Sequence, residues 1–340
     1  MTRIIHDFRS DTVTRPDAAM RTAMAEAAVG DDVYGEDETV AALEARLAEL
    51  TGKTEGLFLP SGTQSNLVAL MSHCERGDEF IAGQDAHCYR YEAGGAAVLA
   101  SIQPQPIENA TDGSLPLDKV EAAIKLDDIH FARTRLLALE NTIGGKVLPQ
   151  AYVDEALALA RRHGLATHLD GARIFNAAVA SNRKARDLTQ GFDSISVCLS
   201  KGLGAPVGSV LVGSAELIGK ARRLRKMLGG GMRQAGILAA AGLYALEHNV
   251  ERLAEDHRRA RRLAEGLAQH ERLSVGLPQT NIFFMRADPE IAQAFATHLA
   301  DAGIGVGGRY GQQRWVTHKD VGDDGVDAAL AAAERFFAAA

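Results

Sequence analysis

The sequence predicts an α/β fold, with a mostly parallel central sheet flanked by helices and a smaller α+β domain at the C-terminal end. Two observations carry this prediction. Short apolar runs typical of buried strands, such as 136–140 and 193–199, recur along the first 250 residues. Helical patterns lie between several of these runs, and strands that alternate with helices usually form a parallel sheet covered on both faces.

The helices and strands predicted for the first 250 residues rest on the spacing of apolar residues and on the residues that typically end helices. Apolar residues recur at helical spacing from Val40 to Leu50 and predict a helix over 38–50 that stops at Gly52. An apolar run at 55–60 precedes a second helix, which opens at 61–63 and extends to 71. A further helix is predicted over 152–163. The predicted strands lie at 79–82, 136–140, 165–170, 193–199 and 209–212.

The chain divides into three predicted parts. Residues 1–15 carry no clear helical period and are predicted to form an N-terminal arm, and residues 16–250 form the large domain. After two consecutive helices, 232–248 and 250–270, the pattern changes, so we expect a small α+β domain over 251–340. Its further elements are a strand at 281–286, a helix at 291–302, short strands at 304–306 and 314–317, and a helix at 325–337.

Composition and charge exclude several classes of protein. Lys and Arg number 37 against 44 Asp and Glu, and the net charge of −7 lacks the basic footprint of a nucleic-acid-binding protein. The longest apolar stretch, 236–246, is too short for a membrane span of about 20 residues. The 3 cysteines show no CxxC spacing, so neither a disulfide framework nor a metal site is expected. We expect a cytoplasmic protein.

Two residues that follow predicted strands point to one kind of chemistry. Lys201 follows an apolar run, and burial disfavours the charged form of a lysine and favours the nucleophile that forms Schiff bases. Asp170 ends another strand, at the edge where open α/β sheets bind ligands. Pyridoxal phosphate uses both, a lysine for its aldehyde and an acid for its ring nitrogen. Each residue has a simpler explanation, since exposed loop lysines and helix-capping aspartates are common.

Other residues fit the same ligand. Gly62 and Thr63 open a helix after a strand-like run, and N–H groups at a helix start bind phosphate, although a plain capping motif is equally compatible. His87 and His130 are candidate general bases near neutral pH, although structural roles are common among 11 histidines. Along the chain the phosphate site comes first, then the stacking residue, the ring-nitrogen acid and the lysine. The aspartate-aminotransferase-like fold, called fold type I, has this order.

Specific sequence strings occur along nearly the whole chain. They are RSDTVTRP at 9–16, VGDDVYG at 29–35, PSGT at 60–63, HF at 130–131, LENT at 139–142, DGARIFN at 170–176, LSKGLG at 199–204, KMLGGGMRQ at 226–234 and VTHKD at 316–320. With these strings the chain resembles the low-specificity L-threonine aldolases, which are pyridoxal-phosphate enzymes of fold type I with the aspartate-aminotransferase-like fold.

The resemblance implies a cofactor site. Lys201 would hold pyridoxal 5'-phosphate as a Schiff base, Asp170 would pair with the ring nitrogen, and His87 would stack on the ring. The phosphate would be held by Gly62, Thr63 and Ser200.

The resemblance also implies a substrate site and an assembly. Arg173 would contact the phenolic oxygen of the cofactor and the substrate carboxylate, and Ser10 and Arg314 would complete the carboxylate site. Lys226 and Arg233 match positions that approach the site from a neighbouring subunit. The implied assembly is a homodimer or homotetramer with shared active sites.

The implied reaction is retro-aldol cleavage of L-threonine, L-allo-threonine and related L-β-hydroxy-α-amino acids, phenylserine among them, to glycine and an aldehyde. The base for the β-hydroxyl proton would be His87 directly or His130 through a water. The alternative is a β-eliminating lyase that yields a keto acid and ammonia. A non-catalytic pyridoxal-phosphate-binding protein is a more remote alternative.

The chain departs from the family pattern at two places. The family commonly reads ENTHN, where this chain has Ile143 and two glycines after Thr142. Ile143 therefore predicts an apolar wall in the substrate pocket. The segment 306–313 also differs from its usual composition, and Arg309 within it competes with Arg314 for the carboxylate role.

Overall fold

A computed structural model describes residues 3–309 and 311–338 and shows two β-sheets flanked by helices. Residues 1, 2, 310, 339 and 340, which belong to the predicted arm and the predicted small domain, lie outside the described residues. In chain order the strands are β1 (His6–Phe8), β2 (Glu55–Leu59), β3 (Asp78–Gly83), β4 (Gln103–Ile107), β5 (Arg133–Glu140), β6 (Ala166–Asp170), β7 (Ser194–Cys198), β8 (Ser209–Gly213), β9 (Leu273–Val275), β10 (Ile282–Ala287), β11 (Ile304–Arg309) and β12 (Gln312–Val316).

The helices cover both faces of the larger sheet and pack on the smaller one. They are α1 (Ala18–Ala25), α2 (Glu38–Thr51), α3 (Gly62–His73), α4 (His87–Arg90), α5 (Gly95–Val98), α6 (Leu117–Ala123), α7 (Gln150–Arg162), α8 (Ile174–Ser181), α9 (Ala185–Leu188), α10 (Ala215–Met227), α11 (Gly236–His248), α12 (Leu253–Leu267), α13 (Pro289–Asp301) and α14 (Asp323–Ala338). No helix in the described part of the chain is long and apolar enough to cross a membrane.

Within the described residues the larger sheet has seven strands in the order β2-β8-β7-β6-β5-β3-β4. Neighbouring strands pair in parallel along the series β4, β3, β5, β6 and β7. Strand β8 pairs antiparallel with both β7 and β2. Every residue of β7 is buried, as expected of a central strand covered on both faces. The predicted fold class, a mostly parallel sheet flanked by helices, is confirmed.

The second sheet has the order β1-β11-β12-β10-β9 in the described residues. The N-terminal segment predicted as an arm contributes its edge, because β1 pairs in parallel with β11, with His6 opposite Ile304. The apolar core of this layer is centred on Trp315, which is fully buried beside Phe8 and Phe283. The predicted boundary at residue 250 falls in the turn between α11 and α12, and the domain division itself stays a prediction.

The sequence pattern missed strand β4, whose residues read Gln-Pro-Gln-Pro-Ile. Proline lacks the N–H that a central strand needs, so two prolines argue against a strand. β4 tolerates them because it lies at the end of the sheet and pairs on one side only, with β3.

Candidate active site

The carboxyl ends of β5, β6 and β7 meet at one edge of the central sheet, because these strands run parallel. Glu140 ends β5 and Asp170 ends β6, and Lys201 follows closely after the end of β7. Thr14 fixes the loop that carries the lysine, since its Oγ1 donates a hydrogen bond to the Lys201 carbonyl at 2.9 Å. The predicted lysine and the predicted acid therefore reach the same edge of the sheet.

The amine of Lys201 is not engaged by another side chain. Among residues 3–309 and 311–338 it has no hydrogen-bond or ion-pair partner. Its charge acts on groups around it, which are Asp11, His87 and Glu140. An amine held in such a place is available as a nucleophile for an aldehyde.

Asp170 is a buried carboxylate, 3 % exposed, with two fixed donors. The Asn66 amide donates to its Oδ2 at 2.7 Å, and the backbone N–H of Ala172 donates to its Oδ1 at 3.0 Å. Its charge also acts on Glu140, since burial and then the charge of Asp170 raise the pKa of Glu140 to about 7. Asp170 thus presents an oriented negative charge at the sheet edge.

His87 forms a pair with Glu92 that the sequence pattern did not indicate. The ring Nδ1 lies 2.8 Å from Glu92 Oε1, and the backbone N–H of His87 donates to Glu140 Oε2 at 2.7 Å. The hydrogen bond to Glu92 raises the pKa of His87, although burial opposes it. Atoms of His87, Glu92 and Asp170 lie within 4.8 Å of one another, a spacing that also suits a cation. Hydrogen bonds already engage these acidic groups, so we interpret the cluster as a hydrogen-bonded network.

Arg173 is held by a buried carboxylate from the N-terminal segment. Its Nε and Nη2 donate to Asp11 Oδ2 and Oδ1 at 2.7 and 2.6 Å. Asp11 is fully buried, and Asn281 Nδ2 donates to its Oδ2 at 3.2 Å. Although burial opposes it, the Arg173 charge and its hydrogen bonds hold the pKa of Asp11 well below its usual range. This bidentate pair fixes the plane of the guanidinium group.

Arg314 brings a second guanidinium to the same place. Its Nη1 donates to the Arg9 carbonyl at 3.3 Å, next to Ser10, and Arg173 is near enough to act on its charge. Burial and then the Arg173 charge lower the pKa of Arg314 to about 10, against a partial opposing effect of Asp11. Two guanidinium groups near a single aspartate, Asp11, favour an added anion. The structure therefore places Arg314 near Arg173 and beside the backbone that leads to Ser10. The role of these three residues as a carboxylate site stays a prediction.

The start of α3 provides N–H groups at this edge. Ser61 caps the helix, because its Oγ accepts a hydrogen bond from the Gln64 N–H at 3.1 Å. The N–H groups of Gly62 and Thr63 begin the helix and have no intrahelical acceptor, which is the arrangement that binds phosphate. A Cβ added to Gly62 would lie 2.7 Å from Cys198 Sγ, so the helix start is seated against the end of β7. Only glycine permits that close approach.

Lys226 and Arg233 lie at the surface of the described chain. Both are exposed, and Arg233 Nη1 forms an ion pair with Asp31 at 2.9 Å. Between them, Gly230 packs against Gln64 in the first turn of α3, where a Cβ would lie 1.9 Å from Gln64 Oε1. This contact places the segment from Lys226 to Arg233 next to the start of α3. Within the described residues no hydrogen bond or ion pair joins Lys226 or Arg233 to Lys201.

His130 is not brought to the site within this chain. It lies before the start of β5, and that strand spans about 23 Å from Arg133 to Glu140 at roughly 3.3 Å per residue. Its side chain is 77 % exposed, and its Nδ1 lies 2.6 Å from Asp128 Oδ1. A local ion pair on a surface loop explains this histidine in the isolated chain.

The first departure from the family pattern falls at Ile143. Ile143 is 7 % exposed and belongs to the main apolar core, where it packs against Gly113. The structure thus places Ile143 in the apolar core, and the apolar wall of the substrate pocket stays a prediction. The side chain of Arg309 lies outside what the structure describes, so the competition between Arg309 and Arg314 stays a prediction.

Sequence analysis missed three members of the cluster, Asp11, Asn66 and Glu92. Asp11 lies inside the RSDTVT string, so its position was marked but its role was not. Glu92 and Asn66 reach Asp170 only through the packing of α3 and the α4–α5 segment against the sheet. A one-dimensional pattern holds no signal for such contacts.

Comparisons with known proteins place the chain. The family model described as "Beta-eliminating lyase" matches residues 7–289. The low specificity L-threonine aldolase of Escherichia coli strain K12 is 58% identical over 315 residues, which are 93% of this chain and 94% of that one. The probable low-specificity L-threonine aldolase 2 of Arabidopsis thaliana is 47% identical and covers 97% of each chain.

Among solved structures, a Leishmania major threonine aldolase superposes with a TM-score of 0.82 at 21% identity, over 97% of this chain and 99% of that one. That likeness shows the fold. The fold and the matching family model place the chain among the fold type I enzymes, in the family described as "Beta-eliminating lyase". Within that class, the chain belongs to the family of low-specificity L-threonine aldolases.

Proposed function

We propose that the protein cleaves L-threonine, L-allo-threonine and related L-β-hydroxy-α-amino acids to glycine and an aldehyde. The observation that carries the proposal is the arrangement around Lys201. Its unengaged amine shares a sheet edge with the fixed carboxylate of Asp170, the His87–Glu92 pair and the two guanidinium groups of Arg173 and Arg314. These groups serve a substrate with an amine, a carboxylate and a hydroxyl proton.

The residues present fit pyridoxal phosphate. Lys201 is the group for its aldehyde, Asp170 is the acid for its ring nitrogen, and the start of α3 offers N–H donors for its phosphate, with Ser200 nearby in sequence. When bound, this cofactor supplies an electron sink for the bond that breaks at the substrate Cα. We also propose that the His87 ring stacks on the ring of the cofactor.

The arginines orient the substrate. Arg173 spends its Nε and Nη2 on Asp11, and its Nη1 has no hydrogen-bond partner among the described residues. With Arg314 and Ser10, that N–H group can hold the substrate carboxylate. A carboxylate held by two fixed guanidinium groups limits rotation about the Cα bonds, which decides the bond aligned for cleavage.

His87 accepts the proton of the β-hydroxyl group. Its Nδ1–H donates to Glu92, and in the neutral ring this leaves the Nε2 lone pair free to take a proton. Such a base contributes about 10²–10⁴-fold to the rate. His130 would require a second copy of the chain to bring it near, so His87 is the base that this chain supports.

Gly62→Ala is expected to weaken the binding of pyridoxal phosphate by at least about tenfold, because the start of α3 must shift by a fraction of an ångström. The new Cβ would lie 2.7 Å from Cys198 Sγ. The measurement is cofactor affinity by absorbance titration. Gly62→Ala combined with Cys198→Ala removes the clashing sulfur and should restore most of the affinity. Equal affinity in the wild type and Gly62→Ala would contradict the close seating of the helix.

Glu92→Gln is expected to move the acid limb of the pH–rate profile to lower pH. His87 must be neutral to accept a proton, so activity rises as pH passes upward through its pKa. The hydrogen bond to Glu92 raises the pKa of His87, and the neutral amide removes that effect. The measurement is initial rate against pH at saturating substrate. A limb that moves to higher pH, or stays in place, would show that another group is the base.

The proposed reaction is tested by its products. Purified protein with pyridoxal phosphate receives L-threonine, L-allo-threonine or L-threo-phenylserine, and glycine, aldehyde, keto acid and ammonia are quantified. Equal amounts of glycine and aldehyde are expected. A keto acid and ammonia without glycine would instead identify the β-eliminating alternative, and a bound cofactor with no turnover would identify a non-catalytic binder.

We also propose a cytoplasmic homodimer or homotetramer with shared active sites. The exposure of Lys226, Met227 and Arg233 supports the proposal, since a second copy can approach this surface next to the start of α3. Sedimentation with and without cofactor tests the assembly.

A further inference from the structure

A continuous run of hydrogen bonds extends behind Asp170 into the core. The Asn66 amide nitrogen donates to Asp170 Oδ2 at 2.7 Å and to Glu92 Oε1 at 2.8 Å. The Asn66 Oδ1 lies 3.2 Å from His168 Nε2. The His168 Nδ1 lies 2.8 Å from Ser194 Oγ, which lies 2.7 Å from His73 Nε2. The mechanism proposed above uses Asp170 and Glu92. It gives no role to His168, Ser194 or His73.

The two carboxylates at one end favour one assignment of the protons along the run. An amide nitrogen has two hydrogens, and both are directed at carboxylates, so the Asn66 oxygen must be the atom that faces His168. That oxygen is an acceptor, so His168 carries its proton on Nε2. The His168 Nδ1 is then an acceptor and Ser194 donates to it, which leaves the Ser194 oxygen to accept a proton from His73 Nε2.

The burial of the run favours this single arrangement. His168, Ser194 and Asn66 are at most 1 % exposed, so water does not offer alternative partners to them. Burial and then the neighbouring His73 lower the pKa of His168 to about 3, which keeps its ring neutral. A neutral ring has one donor and one acceptor, which is what the run requires.

The orientation of the Asn66 amide has a direct consequence at the site. If the amide turned over, its oxygen would face two buried carboxylates, and each carboxylate would lose a donor in a region of low polarity. Burial and the charge of Asp170 both raise the pKa of Glu92, so the two carboxylates repel each other in a buried place. The shared amide is the group that lets both remain in place.

We propose that Asn66 and His168 are positioning residues for the acid of the site: the run from His73 locks the Asn66 amide so that both of its N–H bonds hold carboxylates, one on Asp170 and one on Glu92. The inference rests on the proposed function in that Asp170 serves the ring nitrogen of the cofactor. His168 contacts neither the substrate nor the cofactor and acts through Asn66.

Two substitutions at one position separate this role from simple packing. His168→Gln keeps a donor near the place of Nε2, and His168→Leu removes it. The ionisable groups that face Asp170 are His87, Cys88, Glu92, Glu140 and His168, so a change in any pH profile is compared between these two variants.

His168→Leu is expected to lower kcat by about tenfold or more, the range typical when a group that orients a functional side chain is lost. KM should stay close to the wild-type value, and the pH midpoint of the bound cofactor's absorbance change should shift. His168→Gln should retain most of kcat and the wild-type midpoint. His298→Leu is the control, because His298 is a half-buried histidine whose Nε2 bonds the Ala332 carbonyl outside this run.

The proposal is overturned if the leucine and glutamine variants behave alike, or if His168→Leu lowers only the unfolding midpoint. Should His168→Leu fail to fold, Ser194→Ala breaks the same run with a small change in side-chain volume, and the same decrease in kcat is expected.

¹⁵N NMR of the imidazole rings, in protein without added cofactor, tests the proton assignment independently of any activity. A neutral Nε2–H ring is expected for His168 and His73. A charged ring or an Nδ1–H ring for His168 near neutral pH would overturn the inference, even in a protein that cleaves threonine. Absence of cleavage in the wild type would instead contradict the proposed function alone.

Discussion

Lys201→Ala is expected to abolish cleavage of L-threonine and to remove the absorbance of a lysine-bound cofactor. Lys201 holds an unengaged amine at the sheet edge, and among the groups gathered there it is the one able to bond covalently to an aldehyde. The measurements are the initial rate of glycine formation and the absorbance spectrum of the protein after removal of free cofactor. Lys119→Ala, at an exposed lysine on α6, should leave both unchanged.

The Lys201 substitution separates chemistry from folding. The variant should keep the wild-type unfolding midpoint in the absence of cofactor, because the Lys201 amine that it lacks makes no hydrogen bond or ion pair within the described chain. Wild-type rates in Lys201→Ala would contradict the assignment of the active site.

Asp11→Ala is expected to lower the free energy of unfolding by about 3–5 kcal/mol, the range found when one partner of a buried ion pair is removed. Asp11 is fully buried and holds Arg173, whose side chain is 10% exposed, through two hydrogen bonds. The variant leaves the guanidinium charge uncompensated beside Arg314. Urea unfolding gives the free energy, and KM for L-threonine should also rise because Arg173 is no longer fixed.

The control for Asp11 is an exposed pair. Glu49→Ala removes a partner of Arg46 at side-chain exposures of 70% and 47%, and such pairs are worth about 1 kcal/mol or less. The pKa of Asp11 is held low in the folded state, so its contribution is present above the unfolded pKa near 3.9 and is lost as pH falls below it. The difference between wild type and Asp11→Ala should therefore shrink in acid. A difference no larger than that of Glu49→Ala near neutral pH would contradict the account.

The fold was predictable because its signals are local. The central strands β5, β6 and β7 contain short, largely apolar runs in the sequence, because strands buried on both faces are rich in apolar residues. Strand β4 was not predictable from its two prolines, because its place at the end of the sheet is decided by tertiary packing.

Site residues were predictable where the chemistry of the side chain itself indicates the role, as for a lysine nucleophile or a carboxylate. Asp170 ends one predicted strand and Lys201 follows the next, and parallel pairing brings them to one edge. Asp11, Glu92 and Asn66 could not be predicted, because their role is to hold other side chains in place. His130 shows the converse, since a histidine in a matching string lies at the opposite end of its strand from the site.

The central claim is that the bond broken at the substrate Cα is the one to Cβ. The most direct measurement uses L-threonine that carries deuterium at Cα, with mass analysis of the products at early conversion in ordinary water. Cleavage of the Cα–Cβ bond leaves the original Cα–deuterium bond intact, so glycine that retains the deuterium is the expected result. Elimination or transamination breaks that bond first, so loss of the deuterium with formation of a keto acid would contradict the claim.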